Sequence, residues 1–152
     1  EQKPNFKGLG TTVVAAHIIG NRLLWAHVGD SRLYHVRSGN LTHLTRDHSF
    51  LQHLIEAGDI RPDEASTHPM SHVLDQCIGC MTEGPETGEL LLKANDTVLL
   101  CTDGLYRRIN EQAIITLAST EKDASRLVDK LQKATDKTGK YDDSTVVTVV
   151  CL

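Results

Sequence analysis

The sequence predicts an α+β fold with a largely antiparallel sheet system that is covered by helices. About seven or eight short runs rich in β-branched residues can be traced along the chain, and such runs favour strands. The helical patterns are grouped between the strands instead of alternating with each of them, which argues against a parallel, Rossmann-like sheet. The sequence also contains neither a G-x-G-x-x-G motif nor a Walker lysine motif.

The first part of the chain is expected to form a meander of four strands. β-Branched and other apolar residues predict strands at 11–19, 22–28, 33–36 and 41–44. Gly20-Asn21 is a hairpin signal between the first two runs, and Gly29-Asp30 and Ser38-Gly39-Asn40 separate the later ones.

The rest of the chain combines helices with further strands. Apolar residues between 50 and 55 share one helical face, and Gly58 marks the end of that helix. Pro62 indicates another helical turn over 60–65, and 71–78 is a possible strand. Strands are also predicted at 89–92, 97–101 and 144–150, and helices from Asn110 to 117 and from Asp123 or Ser125 to 131.

Composition limits the classes of function. The chain has 152 residues, 39% of them hydrophobic, and a formal net charge of −4, which together predict one globular domain over 1–152. That charge argues against a nucleic-acid or anionic-membrane partner, since both need a basic surface. No apolar stretch is long enough to span a membrane, and residues 1–5 do not resemble a signal peptide. We therefore expect a cytoplasmic protein.

The cysteines are expected to be structural. Cys77 and Cys80 form a C-x-x-C motif, whereas Cys101 and Cys151 stand singly in apolar runs. A zinc site would need a second pair of ligands, and a thioredoxin-like motif would need a βαβ setting. Four unevenly spaced cysteines are also too few for a secreted disulfide scaffold of this length.

Three aspartates lie where predicted strands begin or end. Asp30 and Asp103 follow the runs 23–28 and 97–101, and Asp142, with Asp143 beside it, precedes the last run. If the last strand is antiparallel to the other two, these carboxylates share one edge, where a hard cation such as Mg²⁺ or Mn²⁺ would offset their repulsion. Each aspartate taken alone is equally compatible with an ordinary turn.

Several ordered motifs resemble the metal-dependent protein phosphatases of the PPM (type 2C) family, bacterial type. They are Gly10-Thr11-Thr12, Gly29-Asp30-Ser31-Arg32, Thr102-Asp103-Gly104-Leu105 and the run from Asp142-Asp143 to Val147. The stretch 47–80, from Asp47-His48 onwards, resembles the flap segment of bacterial members. The resemblance implies an antiparallel β-sandwich flanked by helices.

The resemblance also implies a site and a reaction. Asp103 and Asp142 would hold a pair of Mn²⁺ or Mg²⁺ ions, and Asp30 with Asp103 would hold a third. The reaction implied is hydrolysis of phosphoserine or phosphothreonine in a phosphoprotein by a metal-activated water. His48 is expected in the flap near this site, and Asp143 next to the metal ligands. Arg32 could reach phosphate or stabilise the edge carboxylates, and its place next to Asp30 favours the second role.

The chain departs from the family pattern in its first part. The early phosphate-gripping Arg, the Asp-Gly-x-Gly-Gly motif and the general-acid histidine of the family are missing, and the one Asp-Gly pair is Asp103-Gly104. We therefore expect the later, larger part of such a domain, as a fragment or a natural truncation, with little or no activity alone. Its partners would be the complementary N-terminal segment or a second copy. The alternative function is a non-catalytic phosphoprotein-binding or regulatory module of the same fold.

Overall fold

The computed structural model describes residues 8–65, 68–80, 83–136 and 143–152. These contain seven strands: β1 (Val13–Ile19), β2 (Arg22–Val28), β3 (Arg32–Arg37), β4 (Asn40–His43), β5 (Glu86–Leu91), β6 (Thr97–Cys101) and β7 (Val146–Val150). They form two sheets, a three-stranded one in the order β1-β2-β5 and a four-stranded one in the order β4-β3-β6-β7. Every pair of neighbouring strands is antiparallel. The predicted α+β class with antiparallel sheets is confirmed.

The predicted four-strand meander is wrong, because the chain changes sheets after β2. Gly29 adopts a φ of 111°, and a side chain at this position would clash with Thr12. Only glycine meets both demands easily. The chain then enters β3, where Leu33 and Tyr34 are both fully buried although they point to opposite faces. A strand that is buried on both faces must lie between two other layers of the structure. As a simple continuation of the β1–β2 hairpin, β3 would not lie in such a position.

The core has two parts, one on each face of the four-stranded sheet. Between the sheets, buried residues from both of them meet: Leu23, Leu33, Leu92 and Val98. On the other face, the four-stranded sheet packs against helices through a second set: Tyr34, Val36, Leu99, Cys101, Leu105, Ile109, Ile114, Ala118, Leu127 and Leu131. The architecture is therefore a β-sandwich with helices packed on the outer face of one sheet.

The described part of the chain also contains four helices: α1 (Phe50–Ala57), α2 (Asp103–Tyr106), α3 (Glu111–Thr120) and α4 (Ala124–Asp136). Gly58 ends α1 with a φ of 80°, as its position predicted. Asn110 caps α3 by accepting from the Ala113 N–H, and Asp123 accepts from the Arg126 N–H at the start of α4. These local signals are confirmed.

One prediction agrees with the structure here and one differs from it. Residues 62–65 form a turn with 3₁₀ geometry at Ala65, in keeping with the predicted helical turn. The stretch 71–78 is not a strand but makes two isolated antiparallel bridges, Ser49–Leu74 and Thr11–Ile78. Across the described ranges, no helix combines the length and the apolar character that crossing a membrane would need.

Candidate metal centre

The first feature of the site is the junction between the end of β6 and the start of β7. The strands are in register through Cys101 opposite Val146. Beyond them the backbone N–H of Thr102 donates to the carbonyl of Thr145 over 3.1 Å, and the N–H of Thr145 donates to Oγ1 of Thr102 over 3.0 Å. Residues that are 43 positions apart in sequence are thus fixed side by side.

Gly104 allows these two stretches to approach closely. A Cβ at this position would clash with the backbone carbonyl of Asp143 and would lie 3.1 Å from Cα of Ser144. The Thr102-Asp103-Gly104 turn therefore lies directly against Asp143 and Ser144. Asp142, predicted as a metal ligand, lies outside the described residues, and Asp143 is an exposed residue next to it.

Asp30 reaches the same end of the molecule by a different route. It lies in the crossover from β2 to β3, and β3 starts with Arg32 paired to Cys101 of β6. Because Asp30 precedes Arg32 and Asp103 follows Cys101 in antiparallel neighbours, both lie at one end of the four-stranded sheet. This placement agrees with the prediction that Asp30 and Asp103 lie close together. That prediction took Asp30 as the residue after β2, whereas in the structure it is the pairing of β3 with β6 that brings the two residues to one end of the sheet.

Arg107 contacts both carboxylates. Its Nη2 lies 3.6 Å from Oδ2 of Asp30 and its Nε 3.2 Å from Oδ2 of Asp103. Tyr106 adds a hydrogen bond from its hydroxyl to the backbone carbonyl of Asp30, over 3.1 Å. One guanidinium group is thus shared by two of the three predicted metal ligands.

The electrostatics of this pair favour a compensating positive charge. Burial raises the pKa of Asp30, and the negative charges of Asp103 and Asp47 raise it further, while Arg107 acts in the opposite sense. Two neighbouring carboxylates that repel each other bind cations well, and their oxygen-only donor set suits Mn²⁺ or Mg²⁺. The residues present therefore fit a hard divalent ion.

Arg32 has a different partner from the one expected. Its guanidinium group makes hydrogen bonds of 2.6 and 2.9 Å with both carboxylate oxygens of Asp47. It also donates to the Tyr34 hydroxyl over 2.8 Å, and it lies 3.6 Å from the centre of the Tyr106 ring. Arg32 thus stabilises the carboxylate of Asp47, not that of Asp30, and the prediction that it pairs with Asp30 is wrong. Arg32 and Asp47 lie 15 positions apart in sequence, a spacing that gives no sign of their contact.

His48 contacts Gly29, the residue that precedes Asp30. It is only 5% exposed. Its backbone N–H donates to the carbonyl of Gly29 over 2.7 Å, and its Nδ1 accepts from the N–H of Gly29 over 3.2 Å. His48 therefore holds the backbone immediately before Asp30.

A second group of potential metal ligands was missed by the sequence analysis. One ligand atom from each of His27, His48 and Glu86 lies within 4.8 Å of the others, and within the described ranges this is the one such group of three or more. Glu86 Oε2 lies 3.2 Å from Nδ1 of His27 and accepts from the Arg46 N–H over 2.9 Å. Burial lowers the pKa of His27, which favours its neutral form.

Hydrogen bonds already occupy most of this second group. Because Nδ1 of His48 accepts from Gly29, the proton of its neutral ring lies on Nε2, the atom that faces Glu86 at 4.0 Å. A metal ion would need the opposite tautomer and would break the bond to Gly29. As arranged, a hydrogen bond joins His27 of β2 to Glu86 of β5, and the ring of His48 lies against that of His27 with 4.7 Å between the two ring centroids.

The flap-like stretch 47–80 contacts the body at several points. The Thr11 N–H donates to the Ile78 carbonyl over 3.2 Å, and the His48 N–H donates to the Gly29 carbonyl over 2.7 Å. Cys77 and Cys80 are joined by a disulfide bond, whereas Cys101 and Cys151 are free. Residues 66 and 67 of this stretch lie outside the described residues.

Comparisons with known proteins agree with this geometry. Residues 13–151 match the family model described as stage II sporulation protein E (SpoIIE). The chain is 33% identical over 149 residues to protein phosphatase PhpP of Streptococcus pneumoniae, covering 97% of this chain and 61% of PhpP. The serine/threonine phosphatase of S. agalactiae superposes with a TM-score of 0.90 at 34% identity, over 99% of this chain and 63% of that one.

A further solved structure carries metal. The catalytic domain of the serine/threonine protein phosphatase PstP, in complex with two manganese ions, superposes with a TM-score of 0.75 at 29% identity. The match covers 98% of this chain and 62% of that one. The chain thus spans about three-fifths of the length of these relatives.

Proposed function

The chain belongs to the SpoIIE family of PPM-type phosphatase domains, and we propose that it provides the metal-binding part of a protein serine/threonine phosphatase. The observation that carries the proposal is the convergence of distant acidic stretches. The turn that holds Asp103 lies against the Asp143 backbone, and Asp103 shares Arg107 with Asp30. The two-manganese structure of the PstP catalytic domain supports the choice of metal.

The proposed ligands are those that the sequence motifs single out. Asp103 and Asp142 would hold a pair of Mn²⁺ or Mg²⁺ ions, and Asp30 with Asp103 a third ion. When bound, such ions lower the pKa of water and neutralise charge on the phosphoryl oxygens. The protein's own residues fix the positions of the carboxylates: Gly104 permits close contact with the Asp143 stretch, and His48 holds the backbone before Asp30.

The proposed substrate is phosphoserine or phosphothreonine in a protein. The relatives named as protein serine/threonine phosphatases support this class. Cysteine chemistry is disfavoured at Cys101, which is 3% exposed and whose thiol pKa is raised by burial to about 12. At neutral pH this thiol stays protonated and is a poor nucleophile.

We also propose that residues 1–152 form a partial catalytic domain, with 47–80 as its flap, and that its strand edges are covered by a further segment or a second copy. β1 and β7 are edge strands among those described. Ile19 and Val147 on these strands are 57% and 51% exposed. Exposed apolar edge strands favour pairing with another strand, and the relatives contain additional length beyond the matched part.

Metal binding by this chain is the direct test of the proposal. Mn²⁺ at about 100 times its dissociation constant should stabilise the native state by about 2.7 kcal/mol, which raises the melting temperature by about 5–10 °C for a chain of this size. Asp103→Asn should remove most of this gain. Glu89→Gln is the control, because it removes one carboxylate from an exposed pair with Arg22 on the other sheet. An equal gain in all three proteins would contradict the proposal.

Hydrolysis needs a separate test, because residues 1–152 alone are expected to turn over little phosphate. The chain can be mixed with the part of PhpP that lies outside the matched region, and phosphate release from a phosphothreonine peptide measured with Mn²⁺. We expect release by the mixture and loss of release with Asp103→Asn. Binding of the peptide without any release would favour the alternative, a non-catalytic phosphoprotein-binding module.

A further inference from the structure

We propose that Arg107 is a built-in counter-cation that occupies the Asp30–Asp103 pair and ties the flap-like stretch 47–80 to it, so that a metal ion binding to this pair must displace Arg107 and release the flap. The proposal rests on the proposed function in one respect, the binding of a divalent ion by Asp30 and Asp103. The tether itself stands on contacts within this chain.

The guanidinium group of Arg107 makes contacts in two directions. Towards the carboxylates it lies 3.6 Å from Asp30 and 3.2 Å from Asp103. Towards the flap, Nη2 donates to the carbonyl of Ser71 over 2.7 Å, and Nη1 lies 3.1 Å from Nδ1 of His72. The planar fork of an arginine can serve several acceptors at once, which a lysine cannot do in the same geometry.

The contacts to Ser71 and His72 link distant parts of the sequence. Arg107 follows the short helix α2 and lies 36 and 35 positions from Ser71 and His72. Among the described residues, 68–76 are also held by backbone bonds from Phe50 to Val73 and from Asp75 to His48 and by the contact of His53 with Asp75, all of which lie within the stretch 47–80 itself. The loss of Arg107 should therefore loosen 68–76 specifically.

Arg107 compensates only part of the negative charge of Asp30 and Asp103, so a divalent cation would bind these carboxylates more strongly. Its Nε is buried without a well-aligned hydrogen bond, so the 3.2 Å contact with Asp103 is an ion pair alone. A single positive charge thus compensates two partly buried carboxylates, whereas a divalent ion would compensate both.

Arg107 and a metal ion compete for the same oxygens in this arrangement. A cation held between Asp30 and Asp103 would lie where the positive guanidinium group now contacts them, and two cations cannot share that position without repulsion. When Arg107 moves away, its bonds to Ser71 and His72 are lost as well. Metal binding and opening of the flap are then linked events, each favouring the other.

The test compares Arg107→Gln, Arg107→Lys and the control Arg126→Gln, which removes an equal charge from an exposed residue of α4. Two quantities are measured on the full chain. One is the affinity for Mn²⁺, obtained by measuring the concentration of free Mn²⁺ with electron paramagnetic resonance. The other is amide hydrogen exchange of residues 68–76, measured by mass spectrometry in the presence of a chelator and again with saturating Mn²⁺.

We expect Arg107→Gln to bind Mn²⁺ about tenfold more tightly than the wild type, and its residues 68–76 to exchange about tenfold faster without metal. Arg107→Lys should keep the weaker Mn²⁺ affinity, because the charge remains, but should exchange fast, because the fork is lost. Mn²⁺ should speed exchange of 68–76 in the wild type and change it little in Arg107→Gln. Arg126→Gln should behave as the wild type does.

The proposal is overturned if Arg107→Gln leaves either quantity within about twofold of the wild type. The proposed function fails in a different way: neither the wild type nor Arg107→Gln would bind Mn²⁺ more tightly than Asp103→Asn does. In that case the competition is refuted together with the metal site, and the exchange of 68–76 without metal alone decides whether Arg107 holds the flap.

Discussion

Replacement of Gly104 by alanine tests the close approach on which the site depends. The new Cβ would clash with the carbonyl oxygen of Asp143 and crowd Cα of Ser144. Both atoms belong to the backbone, so no side-chain rotation can relieve the contact. The turn that carries Asp103 and the stretch 143–145 would have to separate.

The size of the effect follows from two opposing contributions. The cost of overpacking is greatest where the clashing atoms belong to the backbone, and here it is about 3 kcal/mol of unfolding free energy. Alanine is a better helix former than glycine by about 1 kcal/mol, and residue 104 lies in α2. The net loss of unfolding free energy is therefore about 2 kcal/mol, or about 4–8 °C in melting temperature for a chain of this size.

Urea unfolding followed by the fluorescence of the single tryptophan, Trp25, measures this loss. Gly84→Ala is the matched control, because it has open space at Cβ and no positive φ. The control should be neutral or stabilised by about 0.4–1 kcal/mol. Gly104→Ala should also weaken Mn²⁺ binding, although it removes no carboxylate. Wild-type stability and Mn²⁺ affinity in Gly104→Ala would refute the proposed contact between these stretches.

Two further substitutions test the surroundings of the site. Asp47→Ala leaves Arg32, whose side chain is only 22% exposed, without its bidentate partner, and should cost about 2–3 kcal/mol of unfolding free energy. Glu89→Ala breaks an equally short but exposed ion pair with Arg22 and should cost less than about 1 kcal/mol in the same urea titration. Equal losses in the two variants would contradict the claim that burial makes the Arg32–Asp47 pair the more important one for stability. Burial lowers the pKa of His43 to about 4, below its value of about 6.5 in the unfolded chain. The unfolded state therefore takes up the proton first, and His43 should contribute a loss of about 1–2 kcal/mol between pH 7.5 and pH 5. His43→Gln should show a shallower decrease, and an unchanged slope would contradict this assignment.

Local signals made much of the fold predictable from the sequence. Helix caps such as Asn110 and the helix stop at Gly58 act through hydrogen bonds and dihedral angles within a few residues. The change of sheet at Gly29 was not predicted, because Gly-Asp is a turn signal whether the next strand pairs with the last one or leaves it. The adjacent large residues Leu33 and Tyr34, which point to opposite faces of a strand, were the available clue to a strand covered on both faces.

The site was predictable in part for the same reason. The ends of antiparallel strands meet at one edge, which is why Asp30 and Asp103 could be expected together. The contacts of Arg32 with Asp47 and of Arg107 with both aspartates could not, because they depend on the direction of long side chains across elements. The network of His27, His48 and Glu86 has no spacing signal either, since its members come from three separate parts of the chain.

Paramagnetic broadening by Mn²⁺ in amide NMR spectra tests the central claim most directly. Substoichiometric Mn²⁺ should broaden the amide signals of Asp30, Gly104 and Ser144 together, because they surround the proposed ligands. The signal of Gly39, in the hairpin turn between β3 and β4, should stay sharp. Broadening of one of the three stretches without the others, or broadening centred on His27, would contradict a shared carboxylate site at this end of the sheet.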